Sequence, residues 1–210
     1  AQLKYLQSQI NPHFLFNSLN AGAQLAMMED AEQTGIFVEK MADFFRYNVK
    51  KGQEDATLGE ELEAVDNYIY ILNVRFAGDI HFSKDVDESL ENVRMPSMIL
   101  QPIVENAIYH GLKYKESKGM LTVNGYQKDG NAVIEIADDG VGMDEETLNR
   151  IFEKHKVNYR SNGVGVYNVQ RRLCMYYGKE YGLSYKSEKG KGTTVTVVIP
   201  IEQEEHHEKA

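Results

Sequence analysis

Five short blocks in this chain carry groups able to handle a nucleotide and a phosphoryl group. In chain order they are Asn11-Pro12-His13-Phe14, Glu105-Asn106-Ala107, Asp138-Asp139-Gly140-Val141-Gly142, Gly163-Val164-Gly165 and Gly190-Lys191-Gly192-Thr193. An aspartate at a strand end accepts the exocyclic amino group of adenine, and glycines after it let the backbone approach a ligand. The neutral amide of Asn106 suits Mg2+, which keeps several waters and bridges substrate phosphates. A Gly-x-Gly before a helix leaves free N–H groups at the positive helix end, where phosphate oxygens settle. The imidazole of His13 is a competent nucleophile toward a γ-phosphoryl group near neutral pH. Singly, each block has a plainer use: an acidic turn, a polar helix face, a hairpin, a structural histidine. It is their order that points to phosphoryl transfer from ATP to an imidazole.

Other residues join these by spacing. Asn106 and His110 are four apart and share a helix face, with Glu105 alongside. Arg171 and Arg172 follow Gly165 by about two turns. From Lys154 to Lys179 there are six Lys/Arg and no Asp or Glu, a basic stretch in a chain of net charge −9. That stretch reads as an anion site or as a solvated basic face. The polar segment between Met143 and Asn162 reads as a lid over a nucleotide. His81, His155, His206 and His207 have no supporting motif.

The elements that must position these groups follow from patterning. The 210 residues, 42% hydrophobic and 26% charged, can bury a sizeable core in one large or two small domains. No run approaches ~18 apolar residues, so nothing described by the sequence spans a membrane. The single cysteine, Cys174, allows neither an internal disulfide nor a cysteine zinc site, which fits a reducing compartment. The acidic balance argues against a nucleic-acid surface.

Residues 2–28 read as a helix already under way at Ala1, as in a piece of a longer chain, with a kink at Pro12. Its apolar positions Phe14, Ala21, Leu25 and Met28 need partners. A second helix over 31–50 carries Val38, Met41, Phe45 and Val49, and two copies of such a hairpin would complete a four-helix bundle. Residues 51–56 read as a linker. Thr57 with Glu60 forms a capping box, followed by Leu58, Leu62, Val65, Ile69, Leu72 and Phe76 at 4,3,4,3,4 spacing. Beyond them the pattern predicts strands near 80–86, 119–127, 131–138, 182–187 and 193–200. Helices are predicted near 97–112, 144–153 and 164–177, and Lys128-Asp129-Gly130-Asn131 reads as a hairpin turn. Helices on one face of a mixed sheet make the fold α+β.

The runs Gln9-Ile10-Asn11-Pro12-His13-Phe14-Leu15-Phe16-Asn17 and Leu100-Gln101-Pro102-Ile103-Val104-Glu105-Asn106-Ala107-Ile108-Tyr109-His110-Gly111 closely resemble those of LytS/YesM-type sensor histidine kinases. The three glycine blocks resemble those of the wider gyrase/Hsp90/histidine-kinase/MutL ATPases, and Phe45-Arg46-Tyr47 and Asn73-Val74-Arg75-Phe76 resemble landmarks of the kinase family. The resemblance implies a homodimerising phosphoacceptor hairpin over residues 1–55, a Bergerat-type ATP-binding domain over 56–203 and a polar tail over 204–210. It implies His13 as phosphoacceptor, Asn106 as Mg2+ ligand and Asp138 as adenine reader. Gly140, Gly142, Gly163 and Gly165 would shape the pocket, with Thr193 at its adenine end and Arg172 also on the nucleotide. The phosphoryl group would pass to an aspartate of a response-regulator receiver domain. A membrane-embedded sensor region would precede Ala1, leaving these residues cytoplasmic. Tyr109 stands where the family often has Lys, with His110 and Lys113 as candidate replacements, and Asp139 stands where Asn is commoner. No acid directly follows His13, so Glu105 is the candidate for its base. A non-catalytic ATP-binding dimer module, or an ATPase or protein-serine kinase of the same superfamily, are the alternatives.

Overall fold

Thr57 and Glu60 close the first turn of helix α3 (Leu58–Arg75). Glu60 N–H donates to Thr57 Oγ1 at 3.2 Å, and Thr57 N–H donates to Glu60 Oε2 at 2.9 Å. Leu58, Leu62, Val65, Ile69 and Leu72 are buried as their spacing predicts. So are Glu61, Ala64, Asn67, Tyr68 and Ile71 on the other sides of the helix. α3 is therefore no surface helix; it is packed between a helical hairpin and a sheet.

The computed structural model describes residues 12–28, 31–50, 55–76, 79–112, 118–148 and 164–201. The kink expected around Pro12, Lys113, Gly163, most of the lid segment and the polar tail lie outside the described residues or at their edge. The hairpin comprises α1 (Pro12–Met27) and α2 (Ala31–Lys50). Phe37, Met41 and Phe44 of α2 are its buried stripe. Val38, read from sequence as part of that stripe, is instead 48% exposed, one position off the buried face. Phe14, directly after His13, meets Phe44 edge-on at 5.5 Å and Tyr68 of α3 at 5.4 Å between ring centroids. Fully burying side chains of this size contributes roughly 1.5–3 kcal/mol each, so apolar packing supplies most of the docking of the hairpin onto α3.

The sheet has five strands in the order β2 (Ile80–Val86), β4 (Gly119–Lys128), β5 (Asn131–Asp138), β7 (Gly192–Pro200), β6 (Gly182–Glu188). β2 and β4 are parallel and the other neighbours antiparallel. The β4–β5 turn has Asp129 at φ 49° and Gly130 at φ 77°, the left-handed pair that a two-residue hairpin turn requires. Across the sheet, Val123, Ile136 and Val195 stand in register, and all three are buried. With Leu121, Ile134 and Val197 they form the face covered by α3, α4 (Leu100–Asn106) and α5 (Val164–Tyr177).

Two features escape the sequence pattern. The end of the supposed linker is a strand, β1 (Asp55–Thr57), paired antiparallel with β3 (Arg94–Pro96). Asp55 also accepts a hydrogen bond from the Tyr176 hydroxyl at 2.5 Å. The helix expected over 97–112 divides, α4 giving way to a π-helical turn, Ala107–Leu112. Such widened turns insert an extra residue and recur at functional sites.

Candidate functional site

Asp138 ends β5 on the helix-covered face, two residues beyond Ile136, so a carboxylate occupies a place that the rest of the strand gives to apolar groups. It is 9% exposed. Burial pushes its pKa up to about 6; hydrogen bonds from the Gly140 and Thr193 backbone N–H groups oppose that shift, and the neighbouring Asp139 charge adds to it. The Gly140 bond is 2.9 Å long. An acceptor held by two backbone donors, with capacity left on its oxygens, is fitted to receive an amino group.

Glycines crowd round that carboxylate. A Cβ on Gly111, at the end of the π turn, would lie 2.5 Å from Asp138 Oδ1. A Cβ on Gly140 would overlap the Gly111 backbone, and one on Gly192 would overlap the Asp138 carbonyl. Gly142 at φ 60° and Gly192 at φ 110° both adopt backbone conformations that side chains resist. The blocks are also tied backbone to backbone: Val141 N–H donates to Gly111 O at 3.2 Å, and Gly190 N–H donates to Val141 O at 2.7 Å. Met143 N–H donates to Ser187 Oγ at 2.8 Å, and Ser187 Oγ lies 2.8 Å from Thr193 Oγ1. Two of the five blocks, about 50 residues apart in sequence, thus meet in one place with Gly111 of the π turn.

Asn106 is the last residue of α4, at the junction with the π turn, and half-buried. Glu105 beside it accepts from Gln101 Nε2 at 2.9 Å. Burial raises its pKa, against the lowering effect of that hydrogen bond. Among the described residues no cluster of three or more His, Cys, Asp or Glu forms a metal cage. Asn106 offers a neutral amide oxygen, a donor type that suits Mg2+, an ion that takes few protein ligands and completes its shell with water and phosphate. Gly165, in the first turn of α5, sits against α4: its Cβ would make an ordinary 3.7 Å contact with Pro102.

His110 is exposed in the π turn, its ring edge-on to Tyr109 at 5.1 Å. Asp139 is employed locally, its Oδ1 accepting from Met120 N–H at 2.7 Å, a bond that an Asn oxygen would make equally well. Arg172 is not gathered with the Asp138 group. Its Nη1 donates to the Met98 carbonyl at 3.3 Å, beside Glu61 and Tyr47. His13 belongs to the first turn of α1, and its side chain lies outside the described residues. Sequence reading missed two residues. Gly111 lies directly against the Asp138 carboxylate, and a glycine within a helical pattern was the available signal. Glu61 is almost wholly buried, and no motif marks it.

Residues 1–80 match the family model described as histidine kinase, and residues 93–203 the model described as histidine kinase-, DNA gyrase B-, and HSP90-like ATPase. The chain is 36% identical to the sensor protein LytS of Oceanobacillus iheyensis over 95% of its own length and 34% of that protein. Against the sensor histidine kinase YesM of Bacillus subtilis it is 32% identical over 97% and 34%, respectively. It thus spans about a third of the length of the curated relatives it matches. Among solved structures, the nucleotide-free catalytic domain of histidine kinase ThkA aligns with a TM-score of 0.52 at 16% identity, covering 70% of this chain and 94% of that one. The histidine kinase domain of the blue-light activated kinase of Erythrobacter litoralis aligns with a TM-score of 0.52 at 19% identity, covering 95% and 93%. These structural likenesses show a shared fold.

Proposed function

Because the chain belongs to the histidine kinase-, DNA gyrase B-, and HSP90-like ATPase family, we propose that it is the acceptor and ATP-binding portion of a two-component sensor histidine kinase. In this reading, residues 1–55 form the phosphoacceptor hairpin and 56–203 the ATP-binding domain. Asp138 accepts the adenine amino group, with Thr193 beside it and Gly140, Gly142, Gly163 and Gly165 shaping the pocket. Asn106 holds Mg2+ on the phosphates, and His110 and Lys113 supply polar or charged contacts there in place of the Lys that Tyr109 replaces. A His13 nitrogen attacks the γ-phosphorus while the bond to the β–γ bridging oxygen breaks and ADP leaves. Glu105 is the candidate to take or steer the imidazole proton. The phosphoryl group then passes to a response-regulator aspartate.

The observation that carries this reading is the glycine-walled Asp138 carboxylate beside the helix bearing Asn106. Dimerisation through the hairpin is supported by apolar side chains left open on it: Leu19, Ile36, Val38 and Met28 are 48%, 41%, 48% and 79% exposed. No described helix is long and apolar enough to cross a membrane.

Incubation with γ-labelled ATP tests the acceptor. The wild type should take up acid-labile, alkali-stable label, and His13→Ala should take up none while binding ATP with near-normal affinity, because transfer depends on in-line placement of the acceptor. Alkali-stable label persisting in His13→Ala would overturn the assignment.

A further inference from the structure

The Glu61 side chain of α3, 2% exposed, joins three parts of the molecule. Its Oε1 accepts from Met98 N–H at 2.6 Å. Its Oε2 accepts from Ile99 N–H at 2.9 Å and from Leu100 N–H at 2.8 Å. Those donors open α4, whose free N-terminal N–H groups need acceptors and whose positive end favours a carboxylate. Ile99, the residue preceding the helix, has no side-chain cap of its own to offer. A distant glutamate therefore serves as the cap.

The second connection comes from the hairpin, where the Tyr47 hydroxyl of α2 donates to Glu61 Oε1. The third comes from α5, where Arg172 Nη1 donates to the Met98 carbonyl. Met98 itself has φ 60°, a left-handed conformation that a side chain holds only under constraint from its surroundings. Glu61 on its N–H and Arg172 on its carbonyl supply that constraint. The acceptor hairpin, the Asn106 helix and the helix that follows the Gly163-Val164-Gly165 block thus converge on one strained turn.

We propose that Tyr47 and Glu61 are positioning residues that couple the placement of the acceptor hairpin to the start of the Asn106 helix. The inference rests on the histidine kinase reading above. Asn106 lies eight residues from Met98, about 12 Å along a helical rise, so a tilt of a few degrees at Met98 displaces the amide by roughly an ångström. Misplacement on that scale is enough to change the rate of a transfer reaction severely. Apolar contacts hold the hairpin against α3, but they are non-directional. The Tyr47–Glu61 bond fixes the angle of α2 relative to α4.

Tyr47→Phe removes one hydroxyl and leaves the aromatic packing in place. The expected result is a fall of about tenfold in the rate of His13 labelling, with the KM for ATP within twofold of wild type. Amide exchange at Met98, Ile99 and Leu100 should become faster. Glu61→Gln, which keeps one acceptor oxygen and loses the charge, should weaken Mg-ATP binding several-fold and leave adenosine binding at Asp138 unchanged. A purely structural role would lower the melting temperature of both variants and leave rate, KM and affinity of the folded protein unaltered. A wild-type transfer rate in Tyr47→Phe overturns the proposal. Should the wild type itself take up no label on His13, the kinase reading fails separately, and unchanged exchange at residues 98–100 in Tyr47→Phe then overturns the coupling on its own.

Discussion

Asp138 and Glu61 are the two buried carboxylates among the described residues, and the fold treats them in opposite ways. Burial raises the pKa of both. Glu61 meets its desolvation with three backbone N–H groups and a tyrosine hydroxyl, and Arg172 lies nearby, so nothing about it is left open to a ligand. Asp138 receives two backbone donors and sits at the end of its strand among glycines, where backbone approaches closely in place of side chains. One is a carboxylate completed by the fold; the other, in the function proposed above, is completed by what it binds. Buried polar groups without full compensation are costly, and the cost carried by Asp138 supports the proposal that it serves a ligand.

The sharpest way to break this contrast is to remove each group and measure stability. Glu61→Ala would strip the acceptor from Met98, Ile99, Leu100 and Tyr47 and leave Arg172 without its nearby counter-charge. A loss of about 3–5 kcal/mol is expected, because breaking a buried charged network strands its partners. Urea unfolding should show a lower midpoint at unchanged slope. A loss under about 1 kcal/mol would mean that water replaces the carboxylate and that Glu61 is no more essential than a surface acid.

Asp138→Asn should act in the other direction on stability and strongly on binding. Removing the ionised acceptor should weaken nucleotide binding by roughly 1.5–3 kcal/mol by calorimetry. The unliganded protein should become more stable at pH 8 by about 1–2 kcal/mol, discounted for solvent reaching the pocket mouth. The sign follows from the pKa near 6 against the usual value of 3.8. Above about pH 6 the folded protein holds a desolvated charge that the unfolded chain holds freely. As the pH falls between 6 and 3.8 the folded state takes up its proton first, and the penalty disappears. The stability gain of Asp138→Asn should therefore vanish by about pH 4. Wild-type nucleotide affinity should fall by up to about tenfold per unit below pH 6, and the variant should lack that slope. An equal slope in both would assign the titration to another group.

The contrast also explains what the sequence made legible. Asp138 stands in a five-residue block whose glycines are functional through their lack of side chains, and such blocks are visible in one dimension. The strands, the capping box at Thr57 and the helix over 164–177 follow from periodicity and turn residues, which are local properties. Glu61 was invisible for a physical reason. Against the stripe Leu58, Leu62, Val65, Ile69 and Leu72 it falls off the apolar face and reads as solvent-facing. It is buried because α2 and α4 cover the remaining sides of α3, and that depends on residues up to about 40 positions away. β1 and β3 are three residues long, too short for any alternation to show. The π turn after Asn106 continues the helical pattern of the sequence, and only Gly111 within it hints at the close approach to Asp138.

The gentlest test concerns the wall that keeps Asp138 in place. Gly111→Ala would put a methyl group 2.5 Å from Asp138 Oδ1 and 2.9 Å from its Cγ, distances that real contacts do not allow. The carboxylate has limited freedom to retreat, since the Gly140 and Thr193 N–H groups hold it and Gly140 itself lies against the Gly111 backbone. Either the side chain rotates away from the proposed adenine position or the π turn shifts outward. Both weaken binding, and a drop of about fivefold to tenfold is expected, near 1–1.4 kcal/mol. Stability should change less than that, because alanine in a helical turn recovers roughly 0.5–1 kcal/mol of the entropy that glycine loses on folding. A variant that binds nucleotide as tightly as wild type would show that the carboxylate moves freely. Asp138 would then owe its position to the ligand, and the distinction from Glu61 would lie in donors alone.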